Sequence, residues 1–357
     1  MEAPLMAIRC LVVTGLTLLV ASSATGQFKS ESPRGPRLDN ALVRQWRFGV
    51  VVTAGATPLR RVVATTSVPT DWPEQQVRIV QEEVSPGAQL SYRTLDGMVK
   101  QLILRVPRLP AGSQARGVVI VEVTRSWQLP PENTAIYVAP EPRELDRQLR
   151  PFLLPSPYIE SDDAQIKALA RQITADRTGA WQRVEAIYDW VRQNVRLVDD
   201  RGLDPKPVAE TLGERTGDCD ELSSLFIAIC RAAGIPARMV RVPGHCYPEF
   251  YLEDDQGRGY WFPCQAGGGR AFGGIPEHRP ILQKGDNLLI YDPRRRRKVR
   301  HRFLPDTVVC AATPRGGSPP SLDVICQPLD PQLPRDPSRS QPRQVAPFGG
   351  NEGPRYP

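Results

Sequence analysis

Cys219, His245 and Gln265 are the residues of this chain whose types and spacing could do chemistry. Cys219 stands in Gly217-Asp218-Cys219-Asp220-Glu221, directly before a run in which Leu222, Leu225, Phe226, Ile229 and Ala233 recur at helical spacing. Asp218 followed by Glu221 reads as a capping box, which puts Cys219 at the first helical position. A thiol there sits against unpaired backbone N–H groups and the positive end of the helix dipole. Both favour the thiolate, the form that acts as nucleophile. Asp218, Asp220 and Glu221 push the other way, so a basic partner is required. The chain has 3 histidines: His245, His278 and His301.

His245 opens a segment, His245 to Gln265, that reads as a β-hairpin turning at Asp254-Asp255-Gln256-Gly257. Centred near position 255, the hairpin sets His245 opposite Gln265 on one face and Cys246 opposite Cys264 on the other. A helix-borne cysteine, a strand-borne histidine and a polar residue able to orient the imidazole make a Cys-His-X triad. Cys219 would attack a carbonyl carbon. His245 would take the thiol proton and return it to the leaving amine, and Gln265 would fix the tautomer. Backbone N–H groups at the helix start are candidate oxyanion donors. His278 and His301 read as surface residues. Glu249, four residues after His245, reads as hydrogen-bonding or exposed. Cys246 and Cys264 are either a cross-strand disulfide or buried thiols, Cys310 and Cys326 could close a loop, and Cys230 is inert on the helix.

The elements that must position these residues lie on both sides of them. Residues 161–310 begin with helices, Asp162 to Asp176, Trp181 to Val195 and the Cys219 helix, which stops at Gly234 and Pro236. Strands follow at 237–242, 245–253, 260–264 and 287–291. Helices first and strands after indicate an α+β fold. Trp181 and Trp190 fall on a helical period and belong to the core. Before this unit, residues 41–130 alternate apolar and polar at 44–52, 77–84, 98–106 and 117–127, with turn residues between, Asp96-Gly97 among them. That spacing indicates an all-β, sandwich-like domain. A proline-rich connector, 131–160, joins the two.

Composition bounds the rest. A 357-residue chain with 40% hydrophobic and 24% charged residues is globular. Residues 1–27 carry Arg9, the apolar run Leu11 to Val20 and the small residues Ser22-Ser23-Ala24, the pattern of a cleaved export signal. A short linker, 28–40, follows, and 311–357 reads as a disordered, Pro-rich tail. Once the signal is removed no transmembrane span is expected. The net charge of +7 has one source, the block Arg294 to Arg302. It reads as a solvated run or a contact for an anionic polymer or surface. No nucleic-acid fold signature accompanies it. No Cys-x-x-Cys or Cys/His cluster has zinc spacing, so neither metal nor cofactor is expected. The glycines at 267–269 lack the context of a phosphate loop and read as a rim loop bordering the site.

The run GDCDELSSLFIAICRAAGIPARMV, followed by HCYPEFYLED and YWFPCQ, resembles the transglutaminase-like superfamily of cysteine enzymes. That family carries Gly-x-Cys at a helix start, a small-residue helix, Gly-Ile-Pro-Ala-Arg, a His-x-x-x-Glu strand, and a Trp-containing strand ending in Asp. The helix containing IYDWVRQNVR resembles the one that precedes the family's active site, and the β domain resembles the N-terminal sandwich of bacterial members. The resemblance implies a papain-like core with Cys219 as nucleophile and His245 as base. Two positions depart from the pattern: Gln265 stands where the family has Asp, and Tyr247 where it often has Trp. The expectation is an exported cysteine enzyme acting on amide bonds of a protein or peptide, hydrolysing rather than cross-linking. The alternative is a catalytically weak binding module that keeps the fold.

Overall fold

The computed structural model describes residues 34–198, 205–292, 295–311 and 319–329. The export signal, the first part of the linker (28–33) and most of the tail lie outside the described residues. Six long strands come first: β1 (Arg37–Thr53), β2 (Leu59–Val68), β3 (Gln75–Val84), β4 (Gln89–Leu95), β5 (Val99–Leu109) and β6 (Gln114–Leu129). Along β1, Trp46, Phe48, Val50 and Val52 are buried while Arg47 and Val51 between them are only half-buried, the period of a strand with one face in a core. These side chains meet Val119, Val121 and Val123 of β6 and Leu102, Leu104 and Val106 of β5. The region is therefore sandwich-like. Asp96 and Gly97 both have positive φ, and Met98 N–H donates to Leu95 O at 2.8 Å, which makes the expected tight β4–β5 turn.

The core follows with α1 (Ala164–Thr174), α2 (Ala180–Asn194), β7 (Arg196–Leu197), α3 (Val208–Glu214), β8 (Thr216–Gly217) and α4 (Cys219–Ala232). Next come β9 (Ala237–Val242), β10 (His245–Glu253), β11 (Gly259–Gln265), β12 (Ala271–Phe272) and β13 (Gln283–Lys284). The last strands are β14 (Leu288–Asp292), β15 (Arg297–His301), β16 (Thr307–Ala311) and β17 (Ser321–Pro328). The fold is α+β, as expected. The α4 helix is less amphipathic than its periodicity suggests. Every residue from Glu221 to Arg231 is buried, so α4 is a central helix packed against α1, α2, α3 and β10. Its serines are accommodated because Ser223 Oγ donates to Cys219 O and Ser224 Oγ to Asp220 O, both at 2.6 Å.

Strands cross three of the expected boundaries. A nine-stranded sheet runs β12-β11-β10-β9-β13-β5-β2-β16, with β4 on β5, so strands of the core and of the N-terminal region share one sheet. The joint is β13, where Gln283 pairs with both Val99 and Arg241. The second sheet, β17-β1-β6-β3, takes its outer strand from residues 321–328, expected within a disordered tail. Averaged composition concealed the segment SLDVICQP, whose Leu322 is buried and which pairs with β1 from Trp46 to Thr53. It covers an edge of β1 that would otherwise be open. Similarly β1 begins at Arg37, inside the expected linker.

Candidate active site

The start of α4 is fixed by its cap. Asp218 Oδ1 accepts from the N–H groups of Asp220 at 2.6 Å and Glu221 at 3.3 Å, and Glu221 Oε2 accepts from Asp218 N–H at 2.8 Å. Cys219 is the first helical residue. Gly217 is required by close approach: a Cβ there would lie 2.6 Å from the Cβ of Glu221. The acids beside the thiol are partly neutralised. Burial raises the Glu221 carboxyl to about 7, helped by its hydrogen bond with Asp218. Asp220 pairs with Arg302, whose guanidinium also reaches Asp220 O at 3.3 Å and Ser224 Oγ. Arg302, the last residue of the basic block, is thus buried against the site. Arg297, Lys298 and Arg300 remain exposed on the β14–β15 hairpin.

His245 begins β10 and Gln265 ends β11. His245 Nε2 lies 3.1 Å from Gln265 Oε1 and 3.0 Å from its Nε2, so the side-chain amide holds that ring nitrogen. Cys219, the first residue of α4, borders the hydrophobic cluster that holds Cys246, the residue after His245. The bond from the Cys246 thiol is the largest influence on Cys219. Burial opposes it, and the bond and charge of His245 add to it, leaving the Cys219 thiol at about 4. Burial works against the imidazolium of His245, but its bond to Cys219, the thiolate charge and Gln265 outweigh burial and raise its pKa. Both shifts favour the thiolate of Cys219 and the imidazolium of His245.

The hairpin register differs from expectation. Glu249 pairs with Pro263, where a centre at 255 would put Trp261 opposite. The slide is by two residues, so each residue keeps its face, and His245 still meets Gln265. The direct opposition of Cys246 and Cys264 is lost. Cys264 Sγ lies 3.8 Å from Pro248 O, and Cys246 and Cys264 are both free thiols rather than a cross-strand disulfide. Burial holds the Cys230 and Cys264 thiols well above the ordinary range.

Strand β10 is anchored by buried charge. Lys284 Nζ donates to Glu249 Oε1 at 2.6 Å and to Glu74 Oε1 at 2.5 Å, and Arg238 Nε donates to Glu249 Oε2 at 2.8 Å. Arg125, paired with Glu74, donates to Tyr247 Oη at 3.0 Å. Glu249 and Tyr247 therefore hold the strand of His245 in place and do not face the thiol. His278 lies apart from the site, stacked on Trp127 with its Nε2 2.8 Å from Asn40 O. His301 is on β15, opposite Leu288. Trp181 is in the aromatic core with Phe250, Phe262 and Phe272, and Trp190 lies under Arg215.

A groove of about 310 Å³ adjoins the site, lined by Arg192, Arg196, Leu197, Leu222, Ala266 and Gly267 among others. Arg192 donates to Gln265 O at 3.1 Å and Gly268 O at 2.7 Å, which ties the glycine loop to α2. The loop borders this cleft, as its position after Gln265 suggests. Arg192, Cys246 and Arg302 are the site residues sequence reasoning missed. Only the adjacency of Cys246 to His245 offered a signal.

The site thus sets a thiol on a helix start, an imidazole at the start of one strand and an amide at the end of the next. Residues 167–266 match the family model of the transglutaminase-like superfamily, and the core of this chain is a transglutaminase-like domain. Over 107 residues the chain is 28% identical to an uncharacterized protein of Haemophilus influenzae, a match that spans 29% of this chain and 29% of that protein. A crystal structure of a candidate cysteine protease from Cytophaga hutchinsonii superposes with a TM-score of 0.54 at 19% identity, covering 84% of this chain and 94% of that one. The two share the fold. The periplasmic domain of TgpA from Pseudomonas aeruginosa aligns with a TM-score of 0.31 and 18% identity over 62% of this chain and 89% of that one.

Proposed function

We propose that this chain is an exported cysteine enzyme that acts on amide bonds of proteins or peptides through a thioester at Cys219. The observation that carries the reading is the His245–Gln265 pair, 3.1 Å apart, with Cys219 at the start of α4, where the Cys246 bond and the bond and charge of His245 lower its thiol to about 4. The thiolate of Cys219 attacks the carbonyl carbon. The imidazolium of His245 gives its proton to the leaving amine as the C–N bond breaks. Water, deprotonated by the now neutral His245, then cleaves the thioester, releases the acid and restores the thiolate–imidazolium pair. Asp218 already occupies the N–H groups of Asp220 and Glu221, so the N–H of Cys219 itself is the oxyanion donor the helix offers. The groove beside Leu222 and the glycine loop supports binding of an extended chain.

Hydrolysis is favoured over transfer to an amine because water needs no dedicated second site. Incubating the protein with a peptide mixture, with and without a dansylated primary amine, separates the two. New carboxyl termini that depend on Cys219 mark a peptidase or amidase, and Cys219-dependent incorporation of the amine marks an acyltransferase. Identical peptide patterns for wild type and Cys219→Ala would sink the enzyme reading. That result would favour a binding module, the reading motivated by Gln265 in place of Asp. Export rests on the pattern of residues 1–27 and is tested by fractionating cells and sequencing the mature N-terminus.

A further inference from the structure

Strands β14 and β15 form a two-stranded sheet of their own. Its register pairs Leu288 with His301, Leu289 with Arg300, Ile290 with Val299 and Tyr291 with Lys298. Alternation divides these pairs between two faces. Leu288, Ile290 and Val299 share one of them. Leu288 is wholly buried in a cluster with Val99 and Leu304, and Ile290 packs against that cluster. The opposite face carries Leu289, Tyr291, Lys298 and Arg300. All four are exposed, Leu289 by 43% and Tyr291 by 58%. Each apolar residue of this face lies directly across from a cation. Arg295, Arg296 and Arg297 are exposed at the turn end of the same hairpin. One face therefore anchors the hairpin, and the other presents an aliphatic side chain, a phenol ring and a group of cations.

We propose that this face is a contact for the surface of a bilayer that carries anionic lipid headgroups. A soluble polyanion would satisfy the cations alone and leave Leu289 and Tyr291 in water. A bilayer surface accommodates both. The cations meet headgroup phosphates in the negative surface potential, while the leucine and the ring enter the interface, where the phenol keeps its hydroxyl among water and headgroups. The long stems of Lys298 and Arg300 let their charged ends reach the headgroups beside the inserted apolar groups. A few cations or a small apolar area alone hold a protein weakly on a membrane, and the two together reinforce each other. Strand β15 ends at His301, and the next residue, Arg302, pairs with Asp220 beside Cys219. The surface met by this face is thus joined to the start of α4 through one short strand, which would keep the site among substrates held at that surface. The contact itself is independent of the chemistry at Cys219.

The test uses the chain from residue 28 on, which keeps every described residue and lacks the apolar run Leu11 to Val20, a segment that would enter a bilayer by itself. Co-sedimentation is measured over a range of salt with vesicles of phosphatidylcholine alone and of equal parts phosphatidylcholine and phosphatidylglycerol. Wild type should bind the mixed vesicles, bind them less as salt rises, and stay in solution with phosphatidylcholine alone. Arg297→Ser/Lys298→Ser should weaken binding about 25-fold, about fivefold for each cation, and flatten the salt dependence. Leu289→Ser/Tyr291→Ser should weaken binding about tenfold or more and leave the salt dependence as in wild type. Arg300 is kept in both because it donates to Asn287 Oδ1 at 2.8 Å. Both variants change only exposed side chains, so their thermal melts should match that of wild type. Binding of Leu289→Ser/Tyr291→Ser to mixed vesicles as tightly as wild type would overturn the proposal and leave a general contact for polyanions. So would a wild type that ignores both vesicles or binds phosphatidylcholine alone equally well.

Discussion

The poise of Cys219 as a thiolate makes a quantitative prediction about its reactivity toward a disulfide reagent such as dithiodipyridine. The thiol lies at about 4, so at pH 5 roughly nine-tenths of it is thiolate, against about 3 in 10,000 for an ordinary cysteine near 8.5. The advantage in thiolate is about 3,000-fold. A less basic thiolate is also a weaker nucleophile, and a Brønsted slope of about 0.45 over roughly 4.5 pH units removes about a hundredfold. Cys219 should therefore react about 30-fold faster than a model thiol at pH 5, match it near pH 6.5, and fall behind at neutral pH. Its rate should stay nearly flat from pH 5 to 7 while the model thiol gains about tenfold per pH unit. Thiopyridone release followed by absorbance, with Cys219→Ser subtracted, gives both curves. His245→Ala should shift the midpoint of the curve to higher pH, because one bond and the charge that favour the thiolate are removed while the Cys246 bond remains. A wild-type rate that climbs tenfold per unit from pH 5, with its inflection above pH 8, would refute the reasoning.

Arg302→Met leaves Asp220 without its cation beside the thiolate. The midpoint of the same titration should rise, and denaturant melts should show a loss of about 1–3 kcal/mol for the broken charged hydrogen bonds. Gly217→Ala drives a Cβ into that of Glu221 and opens the capping box. It should cost about 1 kcal/mol or more of stability in urea titrations and slow Cys219 labelling at pH 5. Glu74→Gln removes one anion from the buried cluster around Lys284 and Arg125 and should cost about 3–5 kcal/mol. Glu74 is lowered from 4.5 to about 2, so its contribution is complete above pH 4.5 and is lost as pH falls through 2. Acid titration of the variant should lack that slope. Gln265→Asp places a carboxylate on the imidazolium, and the alkaline limb of any Cys219-dependent amide turnover should move to higher pH.

What the sequence discloses here is mostly local. The boundaries of α1, α2, β9 and β10 follow from period and from punctuation such as Gly234 and Pro236, and they fall within a residue or two of expectation. The Cys219 cap was legible because a capping box is written in four consecutive residues. The hairpin faces were legible and its register was not. The loop closes as Glu253 opposite Gly259, with Asp254 capping Gln256 and Arg258, which moves the centre by one residue. Parity survives such a shift, so His245 and Gln265 meet while Cys246 and Cys264 miss each other. The contacts that distant segments make, Arg302 on Asp220 and β17 on β1, leave no local trace. A helix rich in Ser, Ala and Cys also conceals how deeply it is buried, since small residues are what a crowded central helix requires.

The pairing of β1 with β17 orders events during synthesis. The strand Arg37–Thr53 is among the first segments of the described chain to be made, and its partner Ser321–Pro328 is the last. All elements that carry Cys219, His245 and Gln265 exist before one edge of β1 is covered. Over that interval the nascent chain exposes a long strand edge, the feature most prone to pairing with a second chain. A chain stopped before Ser321 would keep every catalytic candidate yet remain in that state, so its failure would be aggregation through β1 and not the loss of any reacting group.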